Sequence, residues 1–380
     1  AITNPAAAKR RASSRSEHSM KWAWLVCLAP ALAVPVVDLG RFVHGDRAEQ
    51  DAVARDVDAA LRDVGFLCIV NHGVSEAVIV NAWRQVKTFF DGDAETKARA
   101  PTMTDEYPYG YSALGGETLA RGAGEDAAPD RKEMFATGPY DALSSVVAPR
   151  YPSGAGFEAA WHAYYVEMEA LSAKLLRLFA RALELDDGWF VPFSDRHASA
   201  LRALNYPRAS RAAGRTGVRA SAHTDYGSLT ILRPGGRGLE VQNRTSGAWV
   251  AAPVLRKSHF LVNLGDLMER WTNDRWRSMP HRVVYAKERP WRWGTPRRQS
   301  LAFFHNLNHD ARVETIATCV APGNEPKYAP IRAFDHLMQK HLASTRPAAS
   351  VEASEAEDGD APVEAAVSDA PVESEGPDEL

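Results

Sequence analysis

His223 and Asp225 stand one residue apart in "SAHTDYGSLTIL", Ser221 to Leu232, at the head of an apolar run that leans toward β-structure. On a strand, side chains alternate between faces, so an imidazole and a carboxylate at that spacing point the same way. Both can ligate a metal, but two ligands do not make a site. "MPHRVVYA" supplies a third, His281, at the entrance of another apolar run. Two imidazoles and one carboxylate on one face of an octahedron leave three positions open. That suits Fe(II) that must also hold a cosubstrate and O2.

A lone His-x-Asp is more often structural. The next run changes the balance, because "RRQSLAFF" sets Arg298 and Ser300 two apart, again on one face of a strand. An arginine turned inward on an apolar strand is costly unless it meets an anion. A guanidinium beside a hydroxyl grips a carboxylate by charge-assisted contact. A carboxylate ligand bound next to the metal would be that partner.

The elements that must position these residues follow from pattern. After Leu185 come short β-rich runs broken by Gly, Pro and Asn: "LRALNYP", "GSLTILRP", "GLEVQN", "WVAAPV", "HFLVNLG", "HRVVYA" and "RQSLAFFHNL". "RTSGA" reads as a hairpin loop between the third and fourth. So many short strands predict a sandwich or barrel rather than a parallel sheet. Before them, Val53, Val57, Leu61 and Val64 recur at helical spacing, and Ser75 is placed to cap a further helix. "FEAAWHAYYVEMEALSAKLLRLFARALEL" is a long amphipathic helix whose stripe of Trp161, Tyr165, Met168, Leu175 and Phe179 reads as core. The predicted class is α+β, a double-stranded β-helix (jelly-roll) core with flanking N-terminal helices. The predicted organisation is a disordered or targeting segment at 1–33, an N-terminal region at 34–150, the jelly-roll core with its support helix at 151–345, and a disordered tail at 346–380.

Composition narrows the rest. The chain has 380 residues, 45% hydrophobic and 24% charged, long enough for one large domain or two small ones. Cys27, Cys68 and Cys319 lie at unrelated spacings, which excludes a disulfide framework and a CxxC metal knuckle. Eleven acids and no Lys or Arg fall between Pro347 and Leu380, so a net charge of -3 hides a body at +8. That tail lacks the apolar surface to fold. The mildly positive body suits an anionic small molecule. No basic stripe with interleaved aromatics points to nucleic acid, and no segment reads as an integral membrane span. The chain is expected to act as a monomer. "MKWAWLVCLAPALA", Met20 to Ala33, has the form of a secretory signal or of an apolar segment packed on the domain, so a cytoplasmic and a secretory location both stay open.

The order HxD, HRV, RxS resembles the iron(II)- and 2-oxoglutarate-dependent dioxygenases of the isopenicillin N synthase-like superfamily. "VPVVDL", "GFLCIVNHGV", "PYGYSALGGETLA", "DRKEMF" and "NLGDLMERWTNDRWRSMPHRVV" extend the resemblance over about Val34 to His341. It implies that His223, Asp225 and His281 hold iron, and that Arg298 and Ser300 bind the distal carboxylate of 2-oxoglutarate. Tyr206 matches a cosubstrate-holding Tyr, whereas Leu204 stands where the motif has Asn, leaving Asn205 as the candidate substitute. Tyr109 and Tyr111 fall in the segment that lines the substrate entrance in such proteins. Phe304 and His305, at the end of the RxS strand, are candidates for the pocket mouth. His72, His259 and His309 read as turn, surface or packing residues. The resemblance implies that O2 and 2-oxoglutarate are consumed, with succinate and CO2 released, as a small organic molecule is hydroxylated or desaturated. Two alternatives stay open: an oxidase of the isopenicillin N synthase type that uses no 2-oxoglutarate, and a non-catalytic binding protein on the same fold.

Overall fold

The computed structural model describes residues 34–103, 109–124, 127–139, 149–208, 217–253, 255–256, 258–285 and 296–345. The signal-like segment 20–33, Cys27 and the acidic tail lie outside them.

Among the described residues, twelve strands make the two main sheets. They are β1 (Val36–Asp38), β2 (Phe66–Val70), β3 (Gly110–Ser112), β4 (Glu133–Thr137), β5 (Ala200–Tyr206), β6 (Val218–His223), β7 (Leu229–Gly235), β8 (Leu239–Gln242), β9 (Trp249–Ala251), β10 (Phe260–Leu264), β11 (His281–Val284) and β12 (Arg298–His305). The larger sheet runs β1-β2-β10-β7-β12-β5-β4-β3 and the smaller β6-β11-β8-β9. All seven runs read from the sequence are strands. The "RTSGA" loop joins β8 to β9, where Asn243 Oδ1 accepts from the backbone of Thr245 and Ser246.

Period-2 alternation divides the larger sheet into two faces. Leu201, Ala203, Leu229, Ile231, Phe260, Val262, Leu301 and Phe303 join a core shared with the helices. Ala200, Arg202, Leu204, Tyr206, Thr230, Leu232, Asn263, Arg298, Ser300, Ala302 and Phe304 turn the other way and line a cavity. The long helix Phe157–Ala182 covers the helix-side face, packing on helices Arg47–Asp63 and Glu76–Asp91 and on β12. Its predicted stripe is buried. Trp161 donates to Thr137 Oγ1 at 2.8 Å and Tyr165 to the Ser199 carbonyl at 3.0 Å, so both polar tips find partners.

Two local expectations change. Ser75 occupies the N-cap of helix Glu76–Asp91, but its side chain makes no capping hydrogen bond. His223 and Asp225 do not share a strand: β6 ends at His223, and Asp225 sits in the next loop, bridged to Gly265. Among the described residues no helix is long and apolar enough to cross a membrane. Cys68 and Cys319 are free and buried.

Candidate metal centre and cosubstrate pocket

β6 and β11 pair antiparallel with His281 directly opposite His223, which brings the two rings to 4.4 Å between centroids. Asp225 reaches the same point from the loop beyond β6. One ligand atom from each of His223, Asp225 and His281 lies within 4.8 Å of the other two. The loop that carries Asp225 is pinned to the start of helix Asp266–Trp271: Asp266 N donates to the Asp225 carbonyl at 2.8 Å, and Gly265 N to the Ser228 carbonyl at 3.1 Å. Asp266 thus begins a helix.

The hydrogen bonds orient each side chain. His223 Nδ1 lies 2.7 Å from the Ser221 carbonyl and His281 Nδ1 3.2 Å from that of Met279, so each ring presents Nε2 to the cavity. Asp225 Oδ2 accepts from Thr230 Oγ1 and Asn263 Nδ2, both at 2.6 Å, which leaves Oδ1 facing the histidines. Burial, then the neighbouring His281, holds His223 down at about 4, so its imidazole is neutral near pH 7. Burial opposes charge on Asp225, yet the two histidines keep its carboxyl below the usual range.

Arg298 and Tyr206 face each other on β12 and β5, and Ser300 faces Leu204. The Arg298 guanidinium stands 5.0 Å from the Tyr206 ring centroid and donates to Ser300 Oγ at 3.3 Å. Arg298 is only 3% exposed, no carboxylate pairs with it among the described residues, and its Nε has no partner. Burial lowers its pKa from the usual value. Arg219, also buried, fills the space behind and donates to the carbonyls of Tyr206, Pro207 and Pro296.

The same cavity contains Tyr109 and Phe304 but neither Tyr111 nor His305 among its walls. Tyr111 is turned into the core against Phe89 and donates to Glu133 Oε2 at 2.6 Å. His305 follows Phe304 on a strand and therefore points to the opposite face. There it bonds Ser228 Oγ at 2.7 Å and packs on His197. The same parity removes Asn205 as a cosubstrate contact: it donates to Glu133 Oε1 at 2.6 Å on the far side of β5, while Leu204 faces the cavity. His309, read as a surface or packing residue, lines the cavity and packs at a tilt against Phe334. His72 is a buried turn residue holding the Ser258 carbonyl.

Sequence reading missed Arg202, Glu117, Lys132 and the C-terminal helix Ala333–Thr345 as walls. Counting back in twos from Tyr206, through Leu204, would have found Arg202. Nothing periodic marks Glu117 or Lys132.

Comparison with known proteins agrees with this architecture. Residues 34–153 match the family described as non-haem dioxygenase in morphine synthesis N-terminal, and residues 198–307 match the 2OG-Fe(II) oxygenase superfamily. Proline hydroxylase buaE of Petromyces alliaceus is 33% identical over 302 residues, covering 78% of this chain and 94% of that protein. The 2-oxoglutarate-dependent dioxygenase ecdK of Aspergillus rugulosus is 31% identical, covering 80% and 97%. Among solved structures, a full-length Neurospora crassa protein in complex with alpha-KG and thymine superposes with a TM-score of 0.74 at 28% identity, covering 83% of this chain and 98% of that one. A 2OG-Fe(II) oxygenase family protein from Caulobacter crescentus superposes with a TM-score of 0.70 at 27% identity, covering 82% and 98%. These matches favour the dioxygenase over both alternatives, and with its jelly roll the chain belongs to the 2OG-Fe(II) oxygenase superfamily, whose members work with iron(II), 2-oxoglutarate and O2.

Proposed function

We propose that His223, Asp225 and His281 hold the iron, that Arg298, Ser300 and Tyr206 take the distal carboxylate of 2-oxoglutarate, and that the protein hydroxylates or desaturates a small organic molecule beyond them. The observation that carries this reading is Arg298. A buried guanidinium with an unpartnered Nε, and no carboxylate opposite it among the described residues, opens onto the cavity that holds the triad. A dicarboxylate reaching from the metal supplies the missing anion. The donor set, two imidazoles and one carboxylate, fits Fe(II) with positions to spare.

When bound, the iron supplies the redox chemistry by which O2 cleaves 2-oxoglutarate to succinate and CO2 and oxidises a substrate C–H bond. The chain's own residues do the rest. The Ser221 and Met279 carbonyls keep both imidazoles turned with Nε2 inward. Thr230 and Asn263 hold one oxygen of Asp225 so that the other stays free to ligate. Leu204, Leu232, Ala302 and Phe304 keep the space around the cosubstrate apolar. Arg202 lies two rungs along β5 from Tyr206, with its guanidinium 5.5 Å from the Phe304 ring and its Nε unpartnered. We assign it the polar contact to the main substrate.

O2 uptake and succinate formation measured with and without 2-oxoglutarate test the reaction; uptake that ignores 2-oxoglutarate would favour the oxidase. Arg298→Lys tests the assignment. Lysine keeps the charge but loses the planar fork, a contact worth about 2–3 kcal/mol. The KM for 2-oxoglutarate should rise about ten- to hundredfold. An unchanged KM would remove Arg298 from the cosubstrate site.

A further inference from the structure

A buried charged cluster lies beside the triad, and of its members only Arg202 has a role above. Lys132 Nζ sits 2.7 Å from Asp130 Oδ2 and 2.8 Å from Glu117 Oε2, and Arg202 Nη1 sits 3.2 Å from Glu117 Oε1. Asp130, Lys132 and Glu117 are each at most 5% exposed. Burial works against Lys132, but Glu117 and Asp130 hold its ammonium above the usual range. Burial likewise opposes charge on Glu117, while Lys132 and Arg202 hold it down at about 2. Glu117 and Lys132 are therefore charged, and each needs its partner.

Stability is a poor explanation for such a cluster. Desolvating several charges costs about as much as their attraction returns, and apolar replacements are often as stable. The geometry offers another. Asp130 Oδ1 accepts from both the backbone N and the Oγ of Ser221, each at 2.8 Å. The Ser221 carbonyl then lies 2.7 Å from His223 Nδ1. Asp130 is itself fixed, its N–H donating to the Glu117 carbonyl at 2.9 Å and its Oδ2 accepting from Leu119 N at 3.2 Å. Next to it, Arg131 N donates to the Arg219 carbonyl at 2.9 Å. The short segment Asp130–Arg131 thus closes the edge of β6 that faces away from β11.

We propose that Asp130 is a positioning residue for the metal centre: it clamps the Ser221 peptide, whose carbonyl sets the orientation and tautomer of the His223 ring, with Lys132 balancing its charge. The inference rests on the reading of His223 as a metal ligand. A ligating histidine whose other nitrogen is well held binds metal more tightly, and loss of such support costs about 10–100-fold in affinity.

The test uses the full-length chain freed of metal and titrated with Co(II), well below each variant's melting temperature. Asp130→Asn keeps the size but removes the charge, and it should weaken Co(II) binding about tenfold or more and alter the visible Co(II) spectrum. Ser221→Ala keeps the backbone contact and should weaken binding less. Asp310→Asn, in an exposed ion pair with Arg196, should leave affinity unchanged. If Asp130→Asn lowers the melting temperature but binds Co(II) with normal affinity and spectrum, its role is structural and the proposal fails. Should Asp130→Asn not fold, Ser221→Ala carries the test, and unchanged affinity there overturns the proposal. His223→Ala separates this from the underlying reading: if it too keeps normal affinity, the metal site itself is misassigned.

Discussion

Asp225 works through two oxygens with different tasks. One is bound by Thr230 and Asn263, and the other is left for the iron proposed above, which is how a carboxylate is aimed rather than merely supplied. His305 shows the converse: a histidine of the right chemistry, one residue from a cavity wall, committed to the opposite face. Burial, then the nearby His197, depresses its pKa well below the usual value. The unfolded chain takes up a proton at this position near pH 6.5 and the folded chain does not. Stability from this group is therefore complete above pH 6.5 and is lost as pH falls, by about 1.4 kcal/mol between pH 7.5 and 5.5. Denaturant unfolding of the parent and of His305→Asn at both pH values checks this. The parent should lose about 1.4 kcal/mol more than the variant. Equal losses would show that His305 titrates in the folded protein.

At the scale of elements, the decisive contact is between the Asp225 loop and the start of helix Asp266–Trp271. A Cβ built on Gly265 would lie 2.2 Å from the Gly227 carbonyl oxygen and 2.8 Å from the Gly227 N, both backbone atoms with little freedom to move. Only glycine permits this approach. Gly265→Ala should therefore displace the loop that presents Asp225, costing about 1–3 kcal/mol in stability and weakening metal binding as well. Thermal unfolding and Co(II) titration together check it. A variant with lowered stability but unaltered Co(II) affinity would mean that Asp225 is held independently of that contact.

Over the whole molecule, the N-terminal region and the jelly roll share one sheet. β1 and β2 extend it at one end, and β3 and β4 at the other, where β4 pairs with β5 along its length. Helix Ala333–Thr345 then closes the cavity, presenting Phe334, Leu337, Met338 and His341 at helical spacing. It is anchored by Lys340 on Asp266 at 3.2 Å and by Thr118 N on the Ser344 carbonyl at 3.3 Å. Ending the chain after Thr345 should leave this wall intact. Ending it after Arg332 should expose the apolar lining, raise binding of a hydrophobic dye, and cost about 3 kcal/mol from three half-buried large apolar side chains. Equal dye binding and stability in the two truncations would show that the helix is no wall.

The sequence by itself determined the class of fold and five of the polar residues that meet in the cavity, His223, Asp225, His281, Arg298 and Ser300. Period-2 runs, a helical stripe and the spacings His-x-Asp and Arg-x-Ser are local patterns, and local patterns survive in one dimension. Strand parity was legible as well, and counting by two would have separated Phe304 from His305 and Leu204 from Asn205. Register and long-range packing were not legible. That His281 lies opposite His223, that Gly265 pins the Asp225 loop, and that Asp130 reaches Ser221 across 91 positions all depend on which segments pair. Pairing is selected by burial summed over the whole core, and that sum exists only once the chain is folded.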